Sequence, residues 1–242
     1  MTVQRGFTLI EMAIVLVIIT ILIGGLAMPL SAQIQARRIA ETNKVLEEAR
    51  EAIFGYAMSH PVSSNPDRPY LPCPDTAGDG LETRTGNTCA GADGWFPWVD
   101  LGTAPQDAWG NRLHYSVENR EYADKSKGMP DLADLTSYTP PYVTLNLKRI
   151  CSNSACTAFE AIYLPAVVFS HGPNGWGARN INGNPLADPT SADELENTNA
   201  DPSFVSRTPS KAGDASGEFD DLVVWISDGL LRSRVCPAGG CP

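Results

Sequence analysis

Apolar residues crowd into one run near the start of the chain. From Ile10 to Leu30 the only interruptions are Glu11, Thr20 and the Gly24-Gly25 pair. As a helix this run rises to roughly 30 Å, the thickness of a bilayer core. The pattern then changes. Ile39, Thr42, Leu46, Ala49, Ile53 and Tyr56 recur at alternating three- and four-residue spacing, which predicts a mostly apolar stripe on a continuing helix. Arg38, Glu41, Lys44, Glu47, Glu48 and Glu51 fall on the opposite face. A stripe of this kind reads as a helix packed on a core. His60-Pro61 ends it, because the residue before a proline is disfavoured in the α region.

Residues 61 to 111 are rich in Pro, Gly, Asp and Asn and show little periodicity, so they read as a long connecting loop pinned by Cys73 and Cys89. Four strand candidates follow. Leu113, Tyr115 and Val117 alternate with His114 and Ser116, and Val143, Leu145 and Leu147 alternate with Thr144, Asn146 and Lys148. Ile162 to Phe169 and Leu222 to Ile226 are nearly continuous apolar runs, the pattern of central strands. One long helix followed by separated strands predicts an α+β fold, with the helix packed on a mainly antiparallel sheet. Residues 178 to 219 are rich in Asn, Asp, Pro, Ser and Gly and read either as a mobile surface loop or as a partner-contact loop.

Composition removes several function classes. The formal charge is −10 and the pI about 4.7, which argues against a nucleic-acid binder. There is no G-x-S-x-G elbow, H-E-x-x-H pair or P-loop, and adjacent Ser170 and His171 do not make a triad, so no enzyme is read. All six cysteines lie at Cys73 or later, which favours disulfides in an oxidising compartment. Sequence alone selects no pairing, but proximity orders the choices: Cys73 with Cys89, Cys151 with Cys156, and Cys236 with Cys241. Zinc is the competing reading of the thiols. It needs closer ligand spacing, and His60, His114 and His171 lie far from the cysteines in sequence.

Glu11 is the residue a plain membrane anchor leaves unexplained. A carboxylate beside an apolar span is costly and needs a named partner. A secretory signal peptide fits no better, because the run is too long and Leu30 would stand where a cleavage site wants a small residue. Arg5 is six residues away and on another helix face. A cut after Gly6 would instead create an α-amine on Phe7, four residues before Glu11. That amine could meet the carboxylate of its own chain or of a staggered neighbour.

The run Arg5-Gly6-Phe7-Thr8-Leu9-Ile10-Glu11, followed by an apolar helix, resembles the class III leader of type IV pilins and type II secretion pseudopilins. The resemblance implies a pilin-like fold in four parts: a leader at 1–6, a transmembrane and filament-core helix at 7–30, an amphipathic helix at 31–60, and a disulfide-stabilised periplasmic head at 61–242. It implies that prepilin peptidase cuts between Gly6 and Phe7 and methylates the Phe7 nitrogen. Glu11 would then register each subunit in the filament, and Gly24, Gly25 and Pro29 would weaken the helix. The implied partners are sibling pilins, the peptidase, the inner-membrane assembly platform and the membrane itself, with the filament periplasmic or extracellular. Two alternatives stand beside this reading: a minor pilin acting as an adhesin, and an anchored periplasmic protein that never assembles.

A finer resemblance lies in the head. Asp107-Ala108-Trp109-Gly110-Asn111 with Tyr115 is similar to the D-x-W-G-N…Y segment of the major pseudopilin, and Ser170 to Gly175 with Asp220-Asp221 is similar to its S-x-G-x-D-G loop and later acidic strand start. In that family these loops bind calcium, an ion that takes oxygen ligands in flexible geometry. The implied ligands are Asn174, Asp220 and Asp221. Asn174 stands where an Asp is expected, and roughly 45 residues separate the halves, more than in the family. The other reading is a simple Asn-Gly turn beside two solvated aspartates.

Overall fold

A computed structural model describes residues 8–131, 145–236 and 241, with the side chains of 24–29 outside the description. The chain divides into two compact units, Met1–Ala40 and Glu41–Pro242, and the boundary falls inside the first helix, α1 (Leu9–Ser59).

In the first unit every described side chain from Thr8 to Ile23 is exposed, including Leu9, Leu16 and Leu22. Among the described residues no helix is long and apolar enough to cross a membrane. The apolar run read from Ile10 to Leu30 includes 24–29, so it lies only partly within the described side chains.

The second unit is an α+β head. The hairpin β1 (Pro61–Val62) and β2 (Asn65–Pro69) follows the helix, and β3 (Arg84–Thr85) pairs with β4 (Thr88–Cys89). Then come β5 (Asp93–Trp95), α2 (Trp98–Leu101), β6 (His114–Val117), β7 (Lys148–Cys151), β8 (Phe159–Leu164) and β9 (Ala166–Ser170). The chain closes with α3 (Ala192–Thr198), β10 (Ser203–Val205), β11 (Leu222–Ile226) and α4 (Asp228–Val235). The larger sheet is antiparallel throughout, in the order β11-β9-β6-β5. The smaller has the order β10-β7-β8 and one parallel pair, β10 with β7.

Strand β9 shows how the layers are built. Successive side chains of a strand point to opposite faces. Ala166 and Val168 join one core with Leu46, Ile53 and Phe54 of α1, while Val167 and Phe169 join a second with Ile150 and Phe204 of the smaller sheet. The larger sheet is thus covered on both faces. The stripe of α1 reads as expected from Thr42 onward: Thr42, Leu46, Ala49, Ile53 and Tyr56 are buried, and each large apolar side chain contributes about 1.5–3 kcal/mol by leaving water. A polar tie holds the same face, where the Ala108 N–H donates to Thr42 Oγ1 at 3.2 Å.

Several expectations need correction. Residues 61–111 are not only a connecting loop, because Asp93–Trp95 forms the edge of the larger sheet beside β6. His114 and Ser116 are buried along with Tyr115 and Val117, since the second core covers their face. The apolar run 162–169 is two strands rather than one: Pro165, which has no N–H for a ladder, stands between β8 and β9, and these belong to different sheets. Leu222–Ile226 is an edge strand, not a central one. The strand read at 143–148 begins only at Lys148; Val143 and Thr144 lie outside the described residues. The 178–219 segment is no bare loop either. It contributes α3 and β10, and Phe204, Val205 and Phe219 within it are fully buried.

Disulfides join Cys73 to Cys89, Cys151 to Cys156 and Cys236 to Cys241, with Cα–Cα distances of 5.3, 5.0 and 5.1 Å. Cys151–Cys156 spans the turn between β7 and β8.

Candidate functional site

Two places gather the residues that the sequence singles out, one in each unit. In the first unit, Thr8 precedes the helix and Glu11 sits in its first turn. The Thr8 N–H and hydroxyl both donate to Glu11 Oε2 at 2.8 Å, and the Glu11 N–H donates to Thr8 Oγ1 at 3.3 Å. This reciprocal capping box satisfies donors that a helix start leaves open. Glu11 therefore has a local partner already. Gly6 and Phe7 lie outside the described residues. The capping role of Thr8 adds to the sequence expectations, and its signal is the Thr-x-x-Glu pattern ahead of an apolar run, a recognisable helix-start signature.

In the second unit, the segments singled out near Asp107 and Ser170 touch. Asp107 Oδ1 accepts from the Trp109 and Asn111 N–H groups at 2.9 Å, and Oδ2 accepts the Ser170 hydroxyl at 2.6 Å. Ser170 Oγ in turn accepts the Gly172 N–H at 3.1 Å. Ser170 is thus committed to Asp107 and not to His171, whose ring is fully buried. Burial holds His171 neutral by lowering its pKa to about 3, with neighbouring His114 adding repulsion.

The turn after His171 brings Asn174 to Asp220. The Asn174 N–H donates to Asp220 Oδ2 at 3.1 Å. Gly172, at φ +61°, permits the approach: a Cβ there would stand 2.1 Å from the Asp220 carbonyl oxygen. A third carboxylate arrives from α3. Glu194 Oε1 accepts from Asn174 Nδ2 and from the Asp220 N–H, both at 3.1 Å. Asp221 Oδ2 accepts from Asn197 Nδ2 at 2.7 Å. Carboxylate oxygens of Glu194, Asp220 and Asp221 lie within 4.8 Å of one another.

This arrangement is electrostatically unbalanced. Among the described residues, Glu194 Oε2, Asp220 Oδ1 and Asp221 Oδ1 are all buried with no hydrogen-bond partner. Burial raises the pKa of all three groups; the Glu194 charge also raises Asp220, to about 7, and both neighbouring carboxylates raise Asp221. Unpartnered, buried and mutually repelling oxygens are a donor set that a hard cation would satisfy. These carboxylates could hold a metal ion.

Asp220 and Asp221 are therefore not simply solvated, and Asn174 is brought to them. The residue missed is Glu194. Its only local signal was Ser191-x-x-Glu194, the pattern of a helix start in a segment read as a loop.

Residues 1–27 match the family described as prokaryotic N-terminal methylation motif. The chain carries a type IV pilin-like prepilin leader of class III, which supports a pilin-type structural subunit and implies processing by prepilin peptidase and assembly with other pilins. No curated protein and no solved structure matches the chain.

Proposed function

We propose that the chain is a structural subunit of a type II secretion pseudopilus or type IV pilus. It is cut between Gly6 and Phe7, methylated on Phe7, and polymerised through residues 7–30. The observation that carries this reading is the exposed apolar surface of Leu9–Ile23, which has no intrachain partner among the described residues. Such a surface needs lipid or the helices of neighbours, and in a filament it would have both in turn. The amphipathic helix of 31–60 then carries the head, 61–242, into the periplasm from the inner membrane, where the assembly platform engages it. Glu11 pairs with the Phe7 amine of an adjoining subunit, which neutralises both charges as the helix is buried.

Glu11→Ala tests this reading. The variant should be inserted and cut normally yet fail to enter sheared filaments, as judged by immunoblot. Normal incorporation would overturn the role of Glu11 and favour an anchored protein that does not assemble.

We also infer that the cluster of Asn174, Glu194, Asp220 and Asp221 takes calcium. The support is its unpartnered carboxylate oxygens, which suit a hard ion with flexible coordination.

A further inference from the structure

The smaller sheet carries an apolar hollow unconnected with the acidic cluster. Its volume is about 270 Å³, and it is lined by Leu145, Leu147, Arg149, Phe159, Ile162 and Tyr163, with Lys148. A departure from regular strand pairing builds its wall. Lys148 faces Leu164 and Ile150 faces Ala161, so Ile162 and Tyr163 stand together opposite Arg149. Tyr163 adopts φ +57°, a left-handed conformation unusual for a bulky side chain. Regular alternation would turn one of the pair inward. Instead both are exposed, at 47% and 49%, beside Phe159 at 55%. Bulges re-aim side chains in this way next to binding sites, and strained backbone concentrates at such places.

Charge narrows the choice of occupant. The chain as a whole carries −10, yet two adjacent cations line this hollow. Arg149 is exposed, with Nε on Ser203 Oγ at 2.9 Å. Lys148 is 1% exposed, and among the described residues its side chain makes no hydrogen bond or ion pair. Burial lowers its pKa to about 8 against the opposing fields of Asp93, Glu118 and Asp201. Size narrows it further. The hollow falls at the small end of ligand pockets, room for one large side chain rather than a long acyl chain.

We propose that this hollow docks a single large apolar side chain flanked by carboxylates, presented by an extended segment of a partner protein. The apolar group enters between Phe159 and Ile162, and the carboxylates meet the exposed Arg149. The proposal is independent of whether the chain enters a filament.

The test is fluorescence anisotropy with the whole chain in lipid nanodiscs and a labelled peptide, acetyl-Gly-Glu-Phe-Glu-Gly-amide. Binding should weaken about tenfold when Phe in the peptide becomes Ser, and by a similar factor when both Glu become Gln. Arg149→Glu and Ile162→Ser, both at exposed positions, should each weaken it to the same degree while leaving the melting curve of the head unchanged. Absence of binding at about 1 mM peptide overturns the proposal. So does equal binding of the Gln peptide, or equal binding by both variants. Displacement of the peptide by decanoate at lower concentration than by unlabelled peptide would assign the hollow to an acyl chain instead, and would also overturn it.

Discussion

The same four-residue signature occurs at two helix starts and ends in two different arrangements. Thr8-x-x-Glu11 opens α1, and Ser191-x-x-Glu194 opens α3. At Thr8 the box closes, with hydroxyl, N–H and carboxylate bonded to one another. At Ser191 it stays open: the N-cap side chain makes no cap hydrogen bond, and its hydroxyl is buried without a partner among the described residues. Glu194 has turned away to Asn174 and Asp220. A capping box is worth on the order of 1 kcal/mol, so local preference cannot hold a carboxylate against a competing tertiary site. Thr8 and Glu11 are exposed and meet no such competitor. The open box therefore marks the place where the fold uses a carboxylate for something other than starting a helix.

The largest expected effect follows from that difference. Calcium at about 100 times its dissociation constant should stabilise the head by roughly 2.7 kcal/mol, seen as a raised urea midpoint relative to chelator. Glu194→Gln should remove most of this gain, while Glu11→Gln should leave it intact. A midpoint indifferent to calcium in the unaltered chain would show that the open box serves some other purpose.

Acidity gives the second effect. Folding raises the Asp220 pKa from 3.8 to about 7, so the folded state holds a proton that the unfolded state gives up. The stability this contributes is complete below about pH 3.8 and is lost as pH rises through 7. His171 acts in the other direction: its pKa falls from 6.5 to about 3, so its neutral form contributes stability above 6.5 that is lost as pH falls toward 3. Between pH 4 and 6.5 the two oppose each other. Above 6.5 His171 no longer opposes Asp220, and Asp221, also raised by its full burial, acts in the same direction as Asp220. Chelated protein should therefore lose stability as pH rises from 6.5 through about 7, by less than about 1.4 kcal/mol per pH unit for each proton released. Calcium should abolish the slope. A flat profile in chelator would mean that the carboxylates are not mutually strained.

How far the sequence could be read depended on whether each signal was local. The 3.6-residue stripe of α1 and its stop at His60-Pro61 need only neighbours along the chain, and both appear in the fold. The strands were read less well because their patterns depend on what covers each face. His114 and Ser116 look solvent-facing until the second core is seen above them. In 162–169 the apolar character hid the break, although Pro165 was visible. At the cluster, Asp220 and Asp221 were legible through resemblance, and Asn174 despite its departure from it. Glu194 was not, because nothing along the chain says that α3 folds back on the 171–175 turn.

The third effect is local to α1. Thr8→Ala removes the side-chain half of a closed box and should loosen the first turn by about 1 kcal/mol. The amide of Met12, which bonds the Thr8 carbonyl at 3.2 Å, should then exchange its hydrogen faster, with the head's unfolding midpoint unmoved. A shift of the midpoint would contradict the division of the chain at Ala40.

Ser191→Ala completes the comparison and should have the smallest effect. An N-cap serine replaced by alanine ordinarily costs about 0.5–2 kcal/mol because a backbone donor loses its acceptor. Here no donor uses that acceptor, and the hydroxyl is itself desolvated without compensation. Deleting an unpartnered buried hydroxyl removes a desolvation penalty, and alanine fits the space the serine leaves. The expected change in the head's stability by urea unfolding in chelator is thus close to zero, or slightly stabilising. A loss of about 1 kcal/mol or more, comparable with Thr8→Ala in its own turn, would mean that the box at Ser191 closes in solution. Glu194 would then spend part of its time away from the acidic cluster, and the contrast between the two helix starts would be one of degree only.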